Sequence, residues 1–218
     1  MATLQLRQIR VPEGQALEIQ DVGWSEFEEI LVDLGENRNT RIAYSDGMLS
    51  IVMPLPEHEV EKVCIGDCIK ILLDELEIDY TSYGSSTFKN KQMLKAIEPD
   101  DCFYLKYADQ MAGKLRIDLA VDPPPELAIE IDLTSKTQLD AYRGLGVAEL
   151  WRYDDGKLRI DCLENGDYVE REDSPTFPDW PIKEAVDFYV SRARATNQRK
   201  AKKEFRQWVL ERLSEREQ

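Results

Sequence analysis

The sequence lacks the features that mark several large classes of protein. None of its apolar runs approaches the roughly 20 residues that a membrane span needs, so we expect no membrane association. The first residues, MATLQLRQIRVPEGQ, contain no apolar stretch of the kind found in secretory signals, and the cytoplasm is the expected location. Four cysteines in 218 residues are too few for a disulfide framework, which favours buried free thiols.

Positive charge is also scarce. The chain has 28 Lys and Arg against 43 Asp and Glu, which gives a formal net charge of −15. Such a charge opposes the field of a polyanion, and this excludes a protein that coats nucleic acid by bulk electrostatics. A metal-dependent enzyme that needs carboxylates and an ordinary acidic protein both remain open.

The length predicts one domain, at residues 1–190, followed by a basic helical tail at residues 191–218. Helical and strand-like apolar spacings alternate along the domain, so the expected fold class is α/β or α+β. We expect a mixed β-sheet flanked by helices, with additional β-hairpins.

Apolar spacing and turn residues place the individual elements. Several helices are predicted, and the second along the chain is expected to be long and largely buried. Asp-Gly and Asn-Gly pairs between apolar runs predict β-hairpins. The predicted elements include helices at residues 24–34, 57–76, 135–143 and 181–191, strands at 102–107, 115–121 and 127–133, a surface loop at 90–97, and hairpin turns at 46–47, 155–156 and 165–166.

Three acidic residues form the most informative pattern. Asp100 directly precedes one predicted strand, while Glu130 and Asp132 lie two positions apart in another and so share one of its faces. Two carboxylates on one face repel each other unless a cation, water or basic groups compensate. If Asp100 approaches from a neighbouring strand, three carboxylates converge as Mg²⁺ or Mn²⁺ requires. An ordinary sheet with one wet face would produce the same alternation, and that alternative stays open.

Five segments of the chain resemble the Uma2 family of endonucleases, also called DUF820, and its cyanobacterial branch in particular. The resemblance covers about residues 41–153, with the segments in the family's order and spacing. Members are similar to the PD-(D/E)xK nuclease superfamily, whose core is a mixed sheet flanked by helices. The segments are RIAYSDGMLSIVMPLPEHE, YGSSTFK, EPDDCFYL, DPPPELAIEIDLTSK and YRGLGVAELWRYD.

The resemblance implies a metal-dependent nuclease acting on DNA. Asp100 matches the aspartate of the PD element and Glu130 the acid of (D/E)xK, so both are expected to bind Mg²⁺ or Mn²⁺. Asp132 is expected to complete the metal site or to act through water. The lysine of the motif is replaced by Asp132, and many relatives instead have a lysine at the position of Gln138. Lys136 is then the nearest residue that could orient the attacking water.

The element PEHE contributes two weaker candidates. His58 is the only histidine and resembles a residue that opens a helix beside the site in the family. His58 and Glu59 are therefore expected to support the site or add a ligand. The alternative is a helix N-terminus with no chemical role.

The predicted tail carries a basic stretch that includes Arg199, Lys200, Lys202 and Lys203. These residues either contact DNA phosphates or form a solvated helical face that pairs with local acids. The sequence thus predicts a Mg²⁺-dependent DNA endonuclease. A catalytically lapsed nuclease-fold protein that binds nucleic acid or a protein partner remains the alternative, ahead of a glycosidase-like carboxylate pair. Whether the chain forms a homodimer is left open.

Overall fold

The computed structural model describes residues 9–35, 38–133 and 135–216. It contains helices and strands along its whole length, in agreement with the predicted α+β class. The elements in chain order are β1 (Ala16–Ile19), α1 (Trp24–Leu34), β2 (Arg41–Ser45), β3 (Met48–Val52), α2 (Pro56–Glu75), β4 (Thr81–Ser82), β5 (Phe88–Asn90), β6 (Lys95–Ile97), β7 (Asp101–Tyr104), α3 (Ala108–Met111), β8 (Leu127–Ile131), α4 (Lys136–Leu145), β9 (Glu149–Asp154), β10 (Lys157–Glu164), β11 (Asp167–Arg171), α5 (Ile182–Ala195) and α6 (Gln198–Arg216).

The first sheet is antiparallel, with strand order β1-β3-β2-β6-β5. Its central hairpin turns at Asp46 and Gly47, whose φ angles of 48° and 90° fit the left-handed turn that an Asp-Gly pair favours. Helix α1 covers this sheet through Trp24 and Phe27, which pack with Tyr44. The hairpin and helix α1 were both predicted, and both are confirmed.

The second sheet is mixed and has strand order β11-β10-β9-β8-β7-β4. Strand β8 pairs antiparallel with β7 and parallel with β9, and α4 makes the crossover between the two parallel strands. All five residues of β8 are buried. The strand is therefore central, and the alternative of a solvent-exposed face is wrong, because Glu130 is only 3% exposed.

The hydrophobic core lies on both faces of the second sheet. Helices α2, α5 and α6 cover one face and pack on Ile129 and Trp151. Helix α4 covers the other face, where Tyr142 and Ala128 share a cluster with Ala43 of the first sheet. Helix α4 thus lies between the two sheets, and it places the start of β2 beside the end of β8.

Two predicted elements differ from the structure. The predicted loop at residues 90–97 contains β6, which pairs with both β2 and β5. Residues 115–121 form no strand, and Leu115 and Val121 are 99% and 79% exposed. Carboxylates hold this segment in turns instead, because Oδ1 of Asp118 accepts from the backbone N–H of Ala120.

The predicted boundary between the domain and the basic tail, at residue 191, falls inside α5. Helix α6 packs on the main core through Ala201, Phe205 and Val209. The apolar stripe of α6 outweighs its basic composition in placing the helix. Both C-terminal helices therefore contribute to the core on one face of the second sheet.

All four cysteines are free and buried, as expected. Within the described residues, no helix has both the length and the apolar character needed to cross a membrane.

Candidate active site

Asp100 and Glu130 lie on neighbouring strands. Strands β7 and β8 pair Asp101 with Ile129, so the same antiparallel register extended by one position sets Asp100 opposite Glu130. The backbone N–H of Asp100 donates to the carbonyl of Ile129 at 3.2 Å. Its side-chain Oδ2 accepts from the backbone N–H of Ile131 at 2.9 Å. These two bonds hold the Asp100 carboxylate beside Glu130.

Glu130 is surrounded by polar groups at the bottom of a cleft. Its Oε1 accepts a hydrogen bond from the hydroxyl of Tyr142, which is fully buried on α4. Burial, followed by the negative charge of Asp100, raises the pKa of Glu130 well above its usual value. Burial also raises the pKa of Asp100, although the N–H of Ile131 and the charge of Arg41 oppose the effect. Two buried acids in contact are costly to ionise together, and a bound cation would remove that cost.

A fixed donor holds one oxygen of each carboxyl group. Oδ2 of Asp100 and Oε1 of Glu130 are the oxygens that accept the bonds from Ile131 and Tyr142. In the described parts of the chain, no backbone N–H, amide or hydroxyl donates to Oδ1 of Asp100 or to Oε2 of Glu130. Mg²⁺ binds hard oxygen ligands, usually one or two carboxylates plus waters. The donor set therefore fits Mg²⁺ or Mn²⁺.

Asp132 lies at the same cleft but stands apart from this pair. It follows the last residue of β8 with a φ of 54°, so the strand alternation that was expected to align it with Glu130 is interrupted. Its Oδ2 is 4.0 Å from Nε2 of His58. Over residues 9–35, 38–133 and 135–216, no three acidic, histidine or cysteine side chains cluster closely enough to hold an ion. The structure thus brings together two of the three predicted carboxylates.

Two connected clefts meet at His58, Ile131 and Asp132. The smaller has a volume of about 40 Å³ and contains the Asp100–Glu130 pair. The larger has a volume of about 430 Å³ and extends to the turn of the β9–β10 hairpin at Asp155. His58 lines both clefts, so its position is compatible with the predicted contribution to the site.

Three further residues named in the sequence analysis differ in their distance from the clefts. Lys136 is exposed at the first position of α4 and is not among the residues that line either cleft. Gln138 is buried and lines the smaller cleft. Glu59 lies outside this cleft and pairs with Lys62 and Arg41, at 2.5 and 3.5 Å.

Arg41 is the functional candidate that sequence reasoning missed. It opens β2 and lines the smaller cleft, with Nε 3.9 Å from Oδ1 of Asp100. The only signal in the sequence is its position as the first residue of RIAYSDG. Nothing local in that segment indicates that the start of β2 lies beside the end of β8.

The basic residues of α6 are divided between two environments. Lys202 pairs with Asp67 at 2.7 Å and Arg206 with Glu75 at 3.0 Å, so part of this face is bound to α2. Arg199, Lys200 and Lys203 are exposed, and no ion pair involves them within the described residues. Only these three remain as candidates for phosphate contacts.

The model of the Uma2 family, described as "Putative restriction endonuclease", matches residues 24–192. Among solved structures, the chain is similar to "a putative nuclease belonging to DUF820" from Anabaena variabilis ATCC 29413, with 14% identity and a TM-score of 0.44. That similarity covers 73% of this chain and 90% of the other. No curated protein sequence matches significantly.

Proposed function

The chain belongs to the Uma2 family, and we propose that it is a metal-dependent endonuclease that hydrolyses DNA phosphodiester bonds in the smaller cleft. The observation that carries the proposal is the contact between the buried carboxyls of Asp100 and Glu130. In each carboxyl a fixed donor orients one oxygen. This arrangement is unfavourable without a cation and favourable with one.

Asp100 and Glu130 would hold Mg²⁺ or Mn²⁺ between β7 and β8. When bound there, the ion would lower the pKa of water and offset negative charge on the phosphate. The N–H of Ile131 and the hydroxyl of Tyr142 fix the directions of the two carboxylates. Both donors are already hydrogen-bonded to these carboxyl groups in the structure.

Asp132 lies at the junction of the two clefts, where a substrate and water would enter. Its carboxylate can accept a hydrogen bond from a water molecule beside the Asp100–Glu130 pair, and His58 lies next to it. Lys136 is exposed outside both clefts, so we do not assign it the water-orienting role that the sequence suggested.

A cleavage assay tests the proposal. Supercoiled plasmid and single-stranded DNA are incubated with Mg²⁺, with Mn²⁺ or with EDTA, and Mn²⁺ binding is measured by calorimetry. The wild type is expected to bind Mn²⁺ and to cleave DNA only when metal is present. Glu130→Gln is expected to show neither Mn²⁺ binding nor DNA cleavage. Asp155→Asn is the matched control, because it removes the same charge from the adjoining cleft and should retain both properties. Equal cleavage by the wild type and Glu130→Gln would overturn the proposal.

A catalytically lapsed nuclease-fold protein that binds nucleic acid or a protein partner is the second candidate. Two observations favour it. Asp132 occupies the lysine position of the (D/E)xK element, and Lys136 is not among the residues that line the smaller cleft. Such a protein would bind Mn²⁺ through Asp100 and Glu130 and would leave every DNA substrate intact. The same assay therefore separates the two candidates.

A further inference from the structure

Arg41 supplies the fixed positive charge of the smaller cleft. Asp100, Glu130, Asp132 and Gln138 line this cleft with it, and it is the only lysine or arginine among the described lining residues. We infer that Arg41 binds the phosphate group of the substrate and takes over the electrostatic role of the lysine that the (D/E)xK element lacks here. This inference rests on the proposed function.

The guanidinium of Arg41 lies near two carboxylates but forms no normal hydrogen bond with either of them. Its Nε lies 3.9 Å from Oδ1 of Asp100, and its Nη2 lies 3.5 Å from Oε1 of Glu59. Both distances exceed those of normal N–H···O hydrogen bonds. The Nε atom is buried, and none of the residues that the structure describes accepts a hydrogen bond from it. A buried, charged donor without an acceptor is costly, so its retention needs a reason.

A phosphate oxygen in the cleft would provide the missing acceptor. Arginine presents several N–H donors in a planar fork and commonly binds phosphate with two hydrogen bonds. Asp100 and Glu130 on the same cleft would hold the metal, so one phosphate could contact both the ion and Arg41. The neighbouring acids keep the guanidinium in position before the substrate arrives.

The other nearby cations are less suited to this role. Lys62 pairs with Glu59 at 2.5 Å and does not line the cleft. His58 lines the cleft, but its Nε2 faces Asp132 at 4.0 Å. Lys136 lies outside.

The chemistry of arginine limits what Arg41 does. A guanidinium stays protonated at any working pH, so Arg41 cannot accept the proton of the attacking water. Its contribution is to bind the phosphate and to stabilise the extra negative charge that develops in the transition state. Arg41 forms and breaks no covalent bond.

Three measurements on Arg41→Gln and Arg41→Lys test the inference. The control is Arg143→Gln, which removes an exposed arginine from α4. Mn²⁺ affinity is measured without DNA, DNA affinity is measured in Ca²⁺ at several salt concentrations, and cleavage is measured at saturating Mn²⁺ and DNA. Arg41→Gln should bind Mn²⁺ at least as tightly as the wild type, because a repelling positive charge is lost.

In the same variant, the log–log salt slope of DNA binding should fall by about 0.9, the value for one phosphate contact. The cleavage rate of Arg41→Gln should fall by about 100-fold, as expected for the loss of one charged transition-state donor. Arg41→Lys keeps the positive charge, so its salt slope and its cleavage rate should both fall by less. Unchanged DNA affinity and salt slope, or a loss of Mn²⁺ binding, would overturn the inference. If the wild type cleaves no DNA, the proposed endonuclease fails, but the two binding measurements still decide the role of Arg41.

Discussion

The hydroxyl of Tyr142 donates a hydrogen bond to Oε1 of Glu130, and both side chains are buried between the second sheet and helix α4. The bond lowers the pKa of Glu130, in opposition to burial and to the charge of Asp100, which raise it. It also fixes which oxygen of Glu130 faces the protein. The orientation and the ionisation of Glu130 on β8 therefore depend on a residue of the following helix.

Tyr142→Phe should weaken Mn²⁺ binding severalfold at neutral pH, because the Glu130 carboxylate becomes harder to ionise and less well oriented. The free energy of unfolding should fall by about 1 kcal/mol for the lost hydrogen bond. Calorimetry with Mn²⁺ and thermal denaturation measure the two effects. Tyr104→Phe is the matched control, because its buried hydroxyl donates to the carbonyl of Pro123 at 2.9 Å away from the cleft lining. Equal losses of Mn²⁺ affinity in both variants would contradict a specific role for Tyr142.

Local sequence signals predicted the parts of the site that lie on adjacent strands. The alternation around Glu130 identified β8, and the acid before the neighbouring strand identified Asp100. Antiparallel pairing then brings these residues together, because both lie near the ends of their strands. Short-range patterns therefore located the carboxylate pair.

The remainder of the site depends on tertiary packing. Arg41 and Gln138 reach the cleft because α4 packs between the two sheets, and no local pattern encodes that approach. Strand β6 was missed for a similar reason, since a strand of three residues gains its structure from pairing with β2 and β5. The position of Asp132 depends on one left-handed residue at the strand end, which strand periodicity does not anticipate.

Metal-free stability should depend on pH through Glu130. Its pKa is raised in the folded state, so between the usual carboxylate pKa and this raised value the unfolded state binds fewer protons than the folded state. The contribution of Glu130 to the free energy of unfolding therefore decreases as pH rises through this window, by up to about 1.4 kcal/mol per pH unit. Glu130→Gln lacks the titration and serves as the reference at each pH. A constant difference between the two proteins from pH 4 to the alkaline side would contradict the raised pKa.

The same shift predicts the pH dependence of metal binding. Mn²⁺ must displace any proton that the Asp100–Glu130 pair retains, so Mn²⁺ affinity should rise with pH until both carboxyls are ionised. Below the raised pKa the expected increase is about tenfold per pH unit for each displaced proton. Calorimetry in buffers of different ionisation enthalpy counts the protons released. A pH-independent affinity with no proton release would show that the pair is already ionised.

Ile129→Ala should destabilise the protein by about 2–5 kcal/mol, because it opens a cavity in a fully buried site at the centre of the second sheet. Val121→Ala is the control, since Val121 is 79% exposed and its truncation should change stability by less than about 0.5 kcal/mol. Urea denaturation measures both. A loss below about 1 kcal/mol for Ile129→Ala would place β8 at the periphery of the cooperative unit.

The basic residues of α5 and α6 fall into two sets that should respond differently to neutralisation. Arg192, Lys202 and Arg206 pair with Glu204, Asp67 and Glu75, at 2.7, 2.7 and 3.0 Å. Arg199, Lys200 and Lys203 are exposed and form no ion pair within the described residues. The first set is therefore structural, and the second is available to phosphates.

Changing Arg199, Lys200 and Lys203 to Gln should reduce the log–log salt slope of DNA binding by up to about 2.7, at about 0.9 for each phosphate contact. Binding should weaken about equally for all DNA sequences, because phosphate contacts position a protein without reading bases. The matched control changes Arg192, Lys202 and Arg206 to Gln, which alters net charge by the same amount. It should lower the melting temperature slightly, as expected for exposed ion pairs, and should affect the slope less. If both triple variants change the slope equally, general charge accounts for the effect, and if neither changes it, α6 does not contact DNA.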